Sequence, residues 1–198
     1  MIKGCDAIMG SGQSSSAIRY MNEHPEKRFI YITPYKKEAD RIQAACPDGR
    51  FIRPSDKLPE FKFSIRNHTA ALIKERRNIS TTHQAFKYYT QEMKQDIASL
   101  GYTLIIDENI DLMEEMEFST GDLEYCIKAG AVAREDGAIK LIENNYHGDA
   151  PEYKKFFSLL QSRNLLYIND STTTLYYWLL PSDLLTSFED VIIMTYMF

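Results

Sequence analysis

The chain has 198 residues, enough for one domain with a substantial core and too few for two comfortable ones. Its composition, 44% apolar and 26% charged, is that of a folded protein and excludes disordered, collagen-like and low-complexity chains. The net charge of −5 excludes nucleic-acid binding through bulk positive charge, so any such contact must come from a local basic patch.

Apolar runs are short throughout the sequence. None approaches the roughly 20 residues that a membrane helix needs, and the N-terminus lacks the apolar stretch of a signal peptide. The sequence therefore predicts a cytoplasmic protein with no membrane contact. Three widely spaced cysteines, Cys5, Cys46 and Cys126, fit packing thiols in a reducing compartment and give no disulfide framework.

The first quarter of the chain repeats the order strand, then helix. Ile2–Ile8 is predicted to be a strand, and the glycine-rich residues that follow it lead into a helix over Ser15–His24. Arg28–Thr33 is a β-branched and aromatic run typical of a strand, and Lys36–Ala45 has helical spacing. Two strand-helix units are therefore expected.

Prolines and a glycine make residues 47–64 a long connection. A helix, a short strand and a second helix are then predicted over Arg66–Arg76, Asn78–Thr82 and Gln91–Leu100. Tyr102–Ile106 is a continuous apolar run that stops at Asp107 and Glu108, which is the pattern of a central parallel strand buried on both faces.

The rest of the chain is less regular. The acidic residues after Glu108 fit a solvated helix face. Beyond them, a helix, a hairpin, a helix and a strand or hairpin are predicted over Asp122–Ala133, Ala138–Glu143, Pro151–Ser162 and Leu165–Leu180. Asp190–Tyr196 is again typical of a central strand. Strands that alternate with helices indicate an α/β fold, a wound and mainly parallel sheet with flanking helices and a small insertion.

The loop after the first predicted strand has the spacing of a phosphate-binding loop but lacks its lysine. Such a loop wraps phosphates with backbone N–H groups, while a lysine reaches the phosphates and a hydroxyl holds Mg²⁺. Ala7, Gly12 and Ser14 stand at three of these positions, Gly10 adds an inner glycine, and Gln13 replaces the lysine. Taken alone, the glycines fit a tight strand-to-helix turn about equally well.

The pair Asp107-Glu108 strengthens the interpretation as a nucleotide site. A nucleotide hydrolase needs an aspartate on the Mg²⁺ shell and a glutamate that activates the attacking water. Strand-terminal acids also occur as helix caps, but ligands of open α/β sheets bind at the carboxyl ends of strands, where both motifs would meet. Together the motifs favour a site for ATP and Mg²⁺.

With these motifs the chain resembles the first motor domain of superfamily 2 helicases, and among them the replicative DNA helicases of phages and prophages of Gram-positive bacteria. Ala7–Ser14 matches motif I and Leu104–Glu108 matches motif II, while Tyr31–Ile42 and Asn78–Phe86 look like the motif Ia and Ib regions. Residues 178–181 and 192–198 look like the stretch leading into motif III. The resemblance implies a single RecA-like, P-loop NTPase domain over residues 1–198, in the cytoplasm of a bacterial host.

The resemblance also implies roles for individual residues. Those expected to bind nucleotide are Gly10, Ser11, Gly12, Gln13, Ser14 and Ser15. Ser14 and Asp107 would hold Mg²⁺, and Glu108 would be the catalytic carboxylate. Those expected to lie on a track for single-stranded DNA are Thr33, Pro34, Tyr35, Lys36, Thr82 and His83. Lys37 and Arg41 could add positive charge to this track. A solvated helix face explains the two residues equally well.

Two departures from the family pattern limit the expected activity. Gln13 cannot supply the lysine charge, and losing one such group costs on the order of 3 kcal/mol in the transition state. ATP hydrolysis should therefore be impaired and binding weak. The chain also stops where such helicases continue into a second motor domain, so this chain alone is not expected to unwind DNA. The alternative is a non-catalytic, helicase-derived module of a phage or mobile element that binds a replication or regulatory protein.

Overall fold

The structure is a computed structural model that describes residues 2–7, 13–108, 110–116, 120–142, 157, 160, 165–169 and 174–196. The chain divides into two compact units. The first unit comprises Met1–Ile110 and Ser182–Phe198, and the second unit comprises Asp111–Pro181. The sequence of the second unit is therefore inserted within that of the first.

The first unit contains a five-stranded sheet. Its strands, in their order across the sheet, are β1 (Ile2–Ala7), β10 (Asp190–Tyr196), β4 (Tyr102–Asp107), β2 (Arg28–Thr33) and β3 (Ile79–Thr82). All four neighbouring pairs are parallel. The carboxyl ends of the strands consequently lie along one side of the sheet, which we call the carboxyl edge. The predicted α/β class with a parallel sheet is confirmed.

Helices flank this sheet on both faces. The described helices of the first unit are α1 (Gln13–Glu23), α2 (Lys36–Ala45), α3 (Ile65–Lys74), α4 (His83–Phe86), α5 (Gln91–Leu100) and α7 (Ser182–Thr186). Met21 of α1 and Ile42 of α2 pack against Ile105 on one face. On the opposite face, the Tyr102 hydroxyl lies 2.8 Å from the carbonyl of Arg77, just after α3. All six residues of β4 are buried, which confirms the predicted central strand.

Side-chain caps fix the starts of three helices. Ser64, Thr82 and Thr90 each accept a hydrogen bond from a backbone N–H three residues further on, at the starts of α3, α4 and α5. α5 ends at Gly101, whose φ of 66° is the left-handed conformation that glycine adopts at low cost. The predicted bounds of α5 are therefore correct, and α3 differs from its prediction by one or two residues at each end.

The second unit is built on a five-stranded antiparallel sheet. Its strands, in order, are β5 (Met113–Met116), β9 (Thr174–Leu179), β8 (Leu165–Asn169), β7 (Ala138–Leu141) and β6 (Val132–Glu135). Helix α6 (Thr120–Lys128) contributes the buried Leu123 and Cys126 to its core, with Trp178 of β9. The antiparallel pair β8–β9 confirms the hairpin predicted over Leu165–Leu180.

Four predictions for this unit were wrong or lie outside the described residues. In the range predicted as a hairpin, Ala138–Glu143, residues 138–141 form the single strand β7, which pairs with the preceding β6. The helix predicted over Asp122–Ala133 ends at Lys128, because Val132 begins a strand that pairs with β7. Asp136 and Gly137 form the turn of this hairpin with φ values of 50° and 76°, the Asp-Gly signal that was overlooked. The acidic stretch predicted as a helix face contains β5, which pairs with β9. Most of the helix predicted over Pro151–Ser162 lies outside the described residues.

An ion pair between a buried ammonium and an exposed carboxylate connects α7 to α5. Lys94 is 4% exposed, and its ammonium lies 3.0 and 2.8 Å from the two carboxylate oxygens of Asp183. Asp183→Ala should lower the free energy of unfolding by about 1–3 kcal/mol in urea titrations, because it leaves the ammonium buried and unpaired. Glu92→Ala is the control, because Glu92 lies on the same α5 and its ion pair with Lys74 is exposed. This variant should have little effect on the free energy of unfolding. Equal losses in the two variants would contradict this account.

Candidate functional site

The carboxyl edge between β2 and β4 is a topological switch point. From β2 the chain passes to β3 on one side, whereas from β4 it passes, through the sequence of the second unit, to β10 on the other side. Crevices at such points are the usual ligand sites of open parallel sheets. Thr33 ends β2 and Asp107 ends β4, so two predicted site residues meet there.

Asp107 has two hydroxyl groups beside it on the same face of the sheet. Tyr31 is paired with Ile105 across β2 and β4, so the next residues on that face are Thr33 and Asp107. Asp107 is 6% exposed and Thr33 is buried. The hydroxyls of Tyr31 and Thr33 both interact with the Asp107 carboxylate, and Ser14 in the first turn of α1 interacts with the Tyr31 hydroxyl. The predicted metal-binding residues Ser14 and Asp107 therefore lie around one tyrosine.

Burial raises the pKa of the Asp107 carboxyl, and the nearby negative charge of Glu38 adds to this effect. The Tyr31 and Thr33 hydroxyls and the Arg41 guanidinium oppose it, but the pKa remains above its ordinary value. Arg41 is itself held by Glu38, with its Nε 2.8 Å from a carboxylate oxygen. The site thus concentrates carboxylate charge that one paired arginine only partly offsets.

Glu108 follows β4 in an unusual backbone conformation. Its φ is 65°, in the left-handed region, which costs a non-glycine residue on the order of 1 kcal/mol. Its backbone N–H donates to the carbonyl of Met194 on the neighbouring β10, at 3.0 Å. Burial raises the pKa of the Glu108 carboxyl, as does the charge of Asp107. A strained, partly buried carboxyl next to a second one is a common feature of functional sites.

The glycine-rich loop is only partly described. Gly10, Ser11 and Gly12, predicted to cradle phosphates, lie outside the described residues. Gln13 is the first residue of α1, two residues before the predicted start of this helix, and its side chain is not described. Ser14 is half-buried and Ser15 is exposed. Because β1 and β4 are parallel members of one sheet, the loop leaves β1 at the same carboxyl edge as Asp107.

The residues predicted to contact DNA follow β2 and β3 at this edge. Thr33 and Thr82 end the two strands in register. Tyr35 is 67% exposed, and Lys36 beside it is also exposed. The other side chains are less available: Thr33 is buried beside Asp107, Pro34 and His83 are half-buried, and Thr82 caps α4. Exposure therefore favours Tyr35 and Lys36 within this set.

Three features of this edge escaped the sequence reasoning. The polar role of Tyr31 was hidden in an apolar run, although a tyrosine and a threonine at alternate positions near a strand end were a usable signal. Arg41 and Glu38 have the i, i+3 spacing at which side chains on a helix meet, so this ion pair also had a signal in the sequence. Phe63 is 64% exposed and precedes α3, and no local pattern marks it.

Phe63 lies at the carboxyl edge with Tyr35. Ile52 bridges Ile79 of β3 in parallel, and three residues later the Ser55 N–H donates to His68 of α3 at 3.0 Å. The first turn of α3, which Phe63 precedes, therefore lies beyond the carboxyl end of β3. Phe63 and the preceding Lys62 both adopt left-handed conformations, with φ of 53° and 55°. Two exposed aromatic rings thus flank the ends of β2 and β3.

Charge is unevenly distributed between the two units. The first unit contains 17 basic and 16 acidic residues, whereas the second contains 6 basic and 12 acidic residues. Net charge therefore favours the first unit over the second for contact with a polyanion.

No group of three or more His, Cys, Asp or Glu side chains suited to a metal occurs in the part of the chain that the structure describes. A cation here would depend on one carboxylate, a hydroxyl and ligands brought by a nucleotide, the way in which Mg²⁺ usually binds. Among the described helices, none has the length and apolarity needed to cross a bilayer.

The raised pKa values predict how stability depends on pH. Asp107 and Glu108 hold protons in the folded chain that the unfolded chain releases above about pH 4, so their contribution to stability falls as pH rises through that range. Asp107→Asn should therefore melt at a higher temperature than the parent at neutral pH, and this gain should shrink towards about pH 4. Thermal unfolding followed by circular dichroism measures both effects.

The exposed Asp56, in the 47–64 connection, provides the control. Asp56→Asn should leave the melting temperature nearly unchanged across the same pH range. A neutral-pH melting temperature of Asp107→Asn below that of the parent would contradict the expectation, since the favourable interactions of the carboxylate with the neighbouring hydroxyls and with Arg41 would then outweigh its burial.

Comparison with known proteins identifies a relative of prophage origin. The SPbeta prophage-derived uncharacterized protein YonV of Bacillus subtilis strain 168 is 32% identical to this chain over 207 aligned positions. The alignment covers 100% of this chain and 49% of that protein, so the chain spans about half the length of this relative. No family model and no solved structure matches the chain.

Proposed function

We propose that the chain is the first motor domain of a phage-type superfamily 2 DNA helicase, with a RecA-like fold that binds ATP and Mg²⁺ at the carboxyl edge. The observation that carries this proposal is the meeting of Ser14 and Asp107 around Tyr31, at a switch point of a parallel sheet. Their types and order match motifs I and II, and the loop that precedes Ser14 leaves β1 at the same edge. The prophage origin of YonV agrees with a phage source.

The residues fit such a ligand with one exception. When bound, Mg²⁺ would neutralise charge on the phosphates and orient them. Ser14 and Asp107 would hold the ion, and Glu108 would be placed to accept a proton from water. Gln13 supplies no positive charge to the phosphates, so binding should be weak and hydrolysis impaired. Single-stranded DNA would cross the ends of β2 and β3, near Tyr35 and Lys36.

Isothermal titration calorimetry of the chain with ATP, with and without Mg²⁺, tests this function directly. We expect weak binding that requires Mg²⁺ and is lost in Asp107→Ala, which removes the carboxylate. Asp111→Ala is the matched control, because it removes an exposed carboxylate nearby in sequence but in the second unit. Binding that is absent at all concentrations, or equal in both variants, would overturn the nucleotide site.

A second candidate function is a non-catalytic module that binds a replication or regulatory protein. Besides the glutamine at position 13, one observation favours this function: among the described residues of the second unit, four large apolar side chains are exposed, namely Leu112, Met113, Tyr125 and Ile142. Exposed apolar groups on an acidic surface suit a protein partner better than DNA. This function predicts loss of partner binding in Met113→Asp without any change in ATP binding.

A further inference from the structure

The hydroxyl of Tyr31 is a buried polar group without a hydrogen-bond partner among the described residues. The side chain is 0% exposed and packs with Ala17 and Met21 of α1 and with Ile105 of β4. Among the described residues, Ser14 and Asp107 are near enough to interact with this oxygen, but neither meets the distance and angle of a hydrogen bond to it. Leaving such a group unsatisfied costs about 1–3 kcal/mol. Few native groups are left this way, and an ion or water that binds beside the group is one common explanation.

The surroundings of this hydroxyl indicate which ligand it serves. It is close enough to the Ser14 hydroxyl and the Asp107 carboxylate to interact with both. A phenylalanine would fill the same space between the helix and the sheet. Packing therefore explains the ring of Tyr31 but not its oxygen, which is near both of the side chains expected to hold a cation.

We propose that Tyr31 is a positioning residue for a hydrated divalent cation held between Ser14 and Asp107, with its hydroxyl donating to the cation's shell. Mg²⁺ and similar ions keep several waters and use only one or two protein carboxylates, so a shell oxygen is available to accept this bond. Groups that orient the ligands of an ion in this way typically change metal affinity 10- to 100-fold. The inference rests on the proposed function, in which the cation accompanies a nucleotide.

Tyr31→Phe tests the proposal with Mn²⁺ as the probe, because free Mn²⁺ is measured directly by electron paramagnetic resonance. Titrations are made with and without ATP. We expect Mn²⁺ affinity to fall by roughly tenfold. The melting temperature without cation should stay equal or rise, because the unsatisfied hydroxyl is gone.

Tyr89→Phe is the matched control. Tyr89 is also buried with a hydroxyl that has no hydrogen-bond partner among the described residues, but it packs against Phe86 after α4, with ring centroids 4.8 Å apart. Like Tyr31→Phe, this substitution removes a phenolic oxygen, but at a position that is not beside Ser14 and Asp107. Tyr89→Phe should change the melting temperature in the same direction as Tyr31→Phe does, and it should leave Mn²⁺ affinity unchanged.

The outcomes separate this inference from the proposed function. Weaker Mn²⁺ binding in Tyr31→Phe alone, with ATP bound by the parent, supports both. Weaker Mn²⁺ binding with no ATP binding supports the role of Tyr31 and overturns the nucleotide function. Equal Mn²⁺ affinity in the parent and Tyr31→Phe, or no Mn²⁺ binding to the parent with or without ATP, overturns the role of Tyr31.

Discussion

Gln13→Lys should raise the affinity of the chain for ATP with Mg²⁺ by one to two orders of magnitude. In the proposed site, the substitution would supply the positive charge that a phosphate-binding loop directs at the β and γ phosphates. One such charge in a preorganised site contributes on the order of 3 kcal/mol in the transition state and part of that in the bound state. Calorimetric titration of the parent and the variant with ATP and Mg²⁺ measures the difference.

Gln43→Lys provides the control for added charge. Gln43 is exposed on α2 of the same unit, so this variant has the same net charge as Gln13→Lys without a lysine in the loop. Its ATP affinity should stay close to that of the parent. If Gln13→Lys binds no more tightly than Gln43→Lys, the loop is not a degenerate phosphate site and the module that binds a protein becomes the better function.

Removing the two exposed aromatic rings at the carboxyl edge should weaken binding to single-stranded DNA strongly. Tyr35 and Phe63 are 67% and 64% exposed, and stacking of a base on such a ring is worth about 1–3 kcal/mol. Tyr35→Ala combined with Phe63→Ala should therefore reduce affinity for oligothymidine at low salt by at least roughly tenfold. Fluorescence anisotropy of a labelled oligonucleotide measures this loss.

Tyr125→Ala is the matched control, because Tyr125 is 64% exposed on α6 of the acidic second unit. It should leave DNA affinity unchanged. A second variant, Lys36→Ala with Lys37→Ala, should reduce the dependence of binding on salt, since these exposed lysines follow Tyr35. DNA binding that survives loss of both aromatic rings, or that falls equally in Tyr125→Ala, would place the contact elsewhere.

The elements of the first unit could be predicted because their signals are local. Arg28–Thr33 and Lys36–Ala45 have the predicted bounds in the structure, since strand alternation and helical spacing act over a few residues. Gly101 and the cap at Thr90 likewise fixed α5. The second unit was harder for two reasons. β5 is stabilised by pairing with the distant β9, which overrides the weak propensities of its own residues, whereas β6 forms a hairpin with β7 whose local Asp-Gly turn signal was not used.

By itself, the sequence determined the α/β class, the central strand that ends at Asp107, and the presence of Gln13 at the position where a phosphate-binding loop would have a lysine. These properties follow from residue types and from spacings of a few residues. Tertiary structure decided that Tyr31 presents its hydroxyl to Ser14 and Asp107, and that Glu108 adopts a left-handed conformation in which its N–H donates to Met194. These features depend on strand register and helix placement, which bring together residues far apart in the chain or select one of several possible side-chain partners.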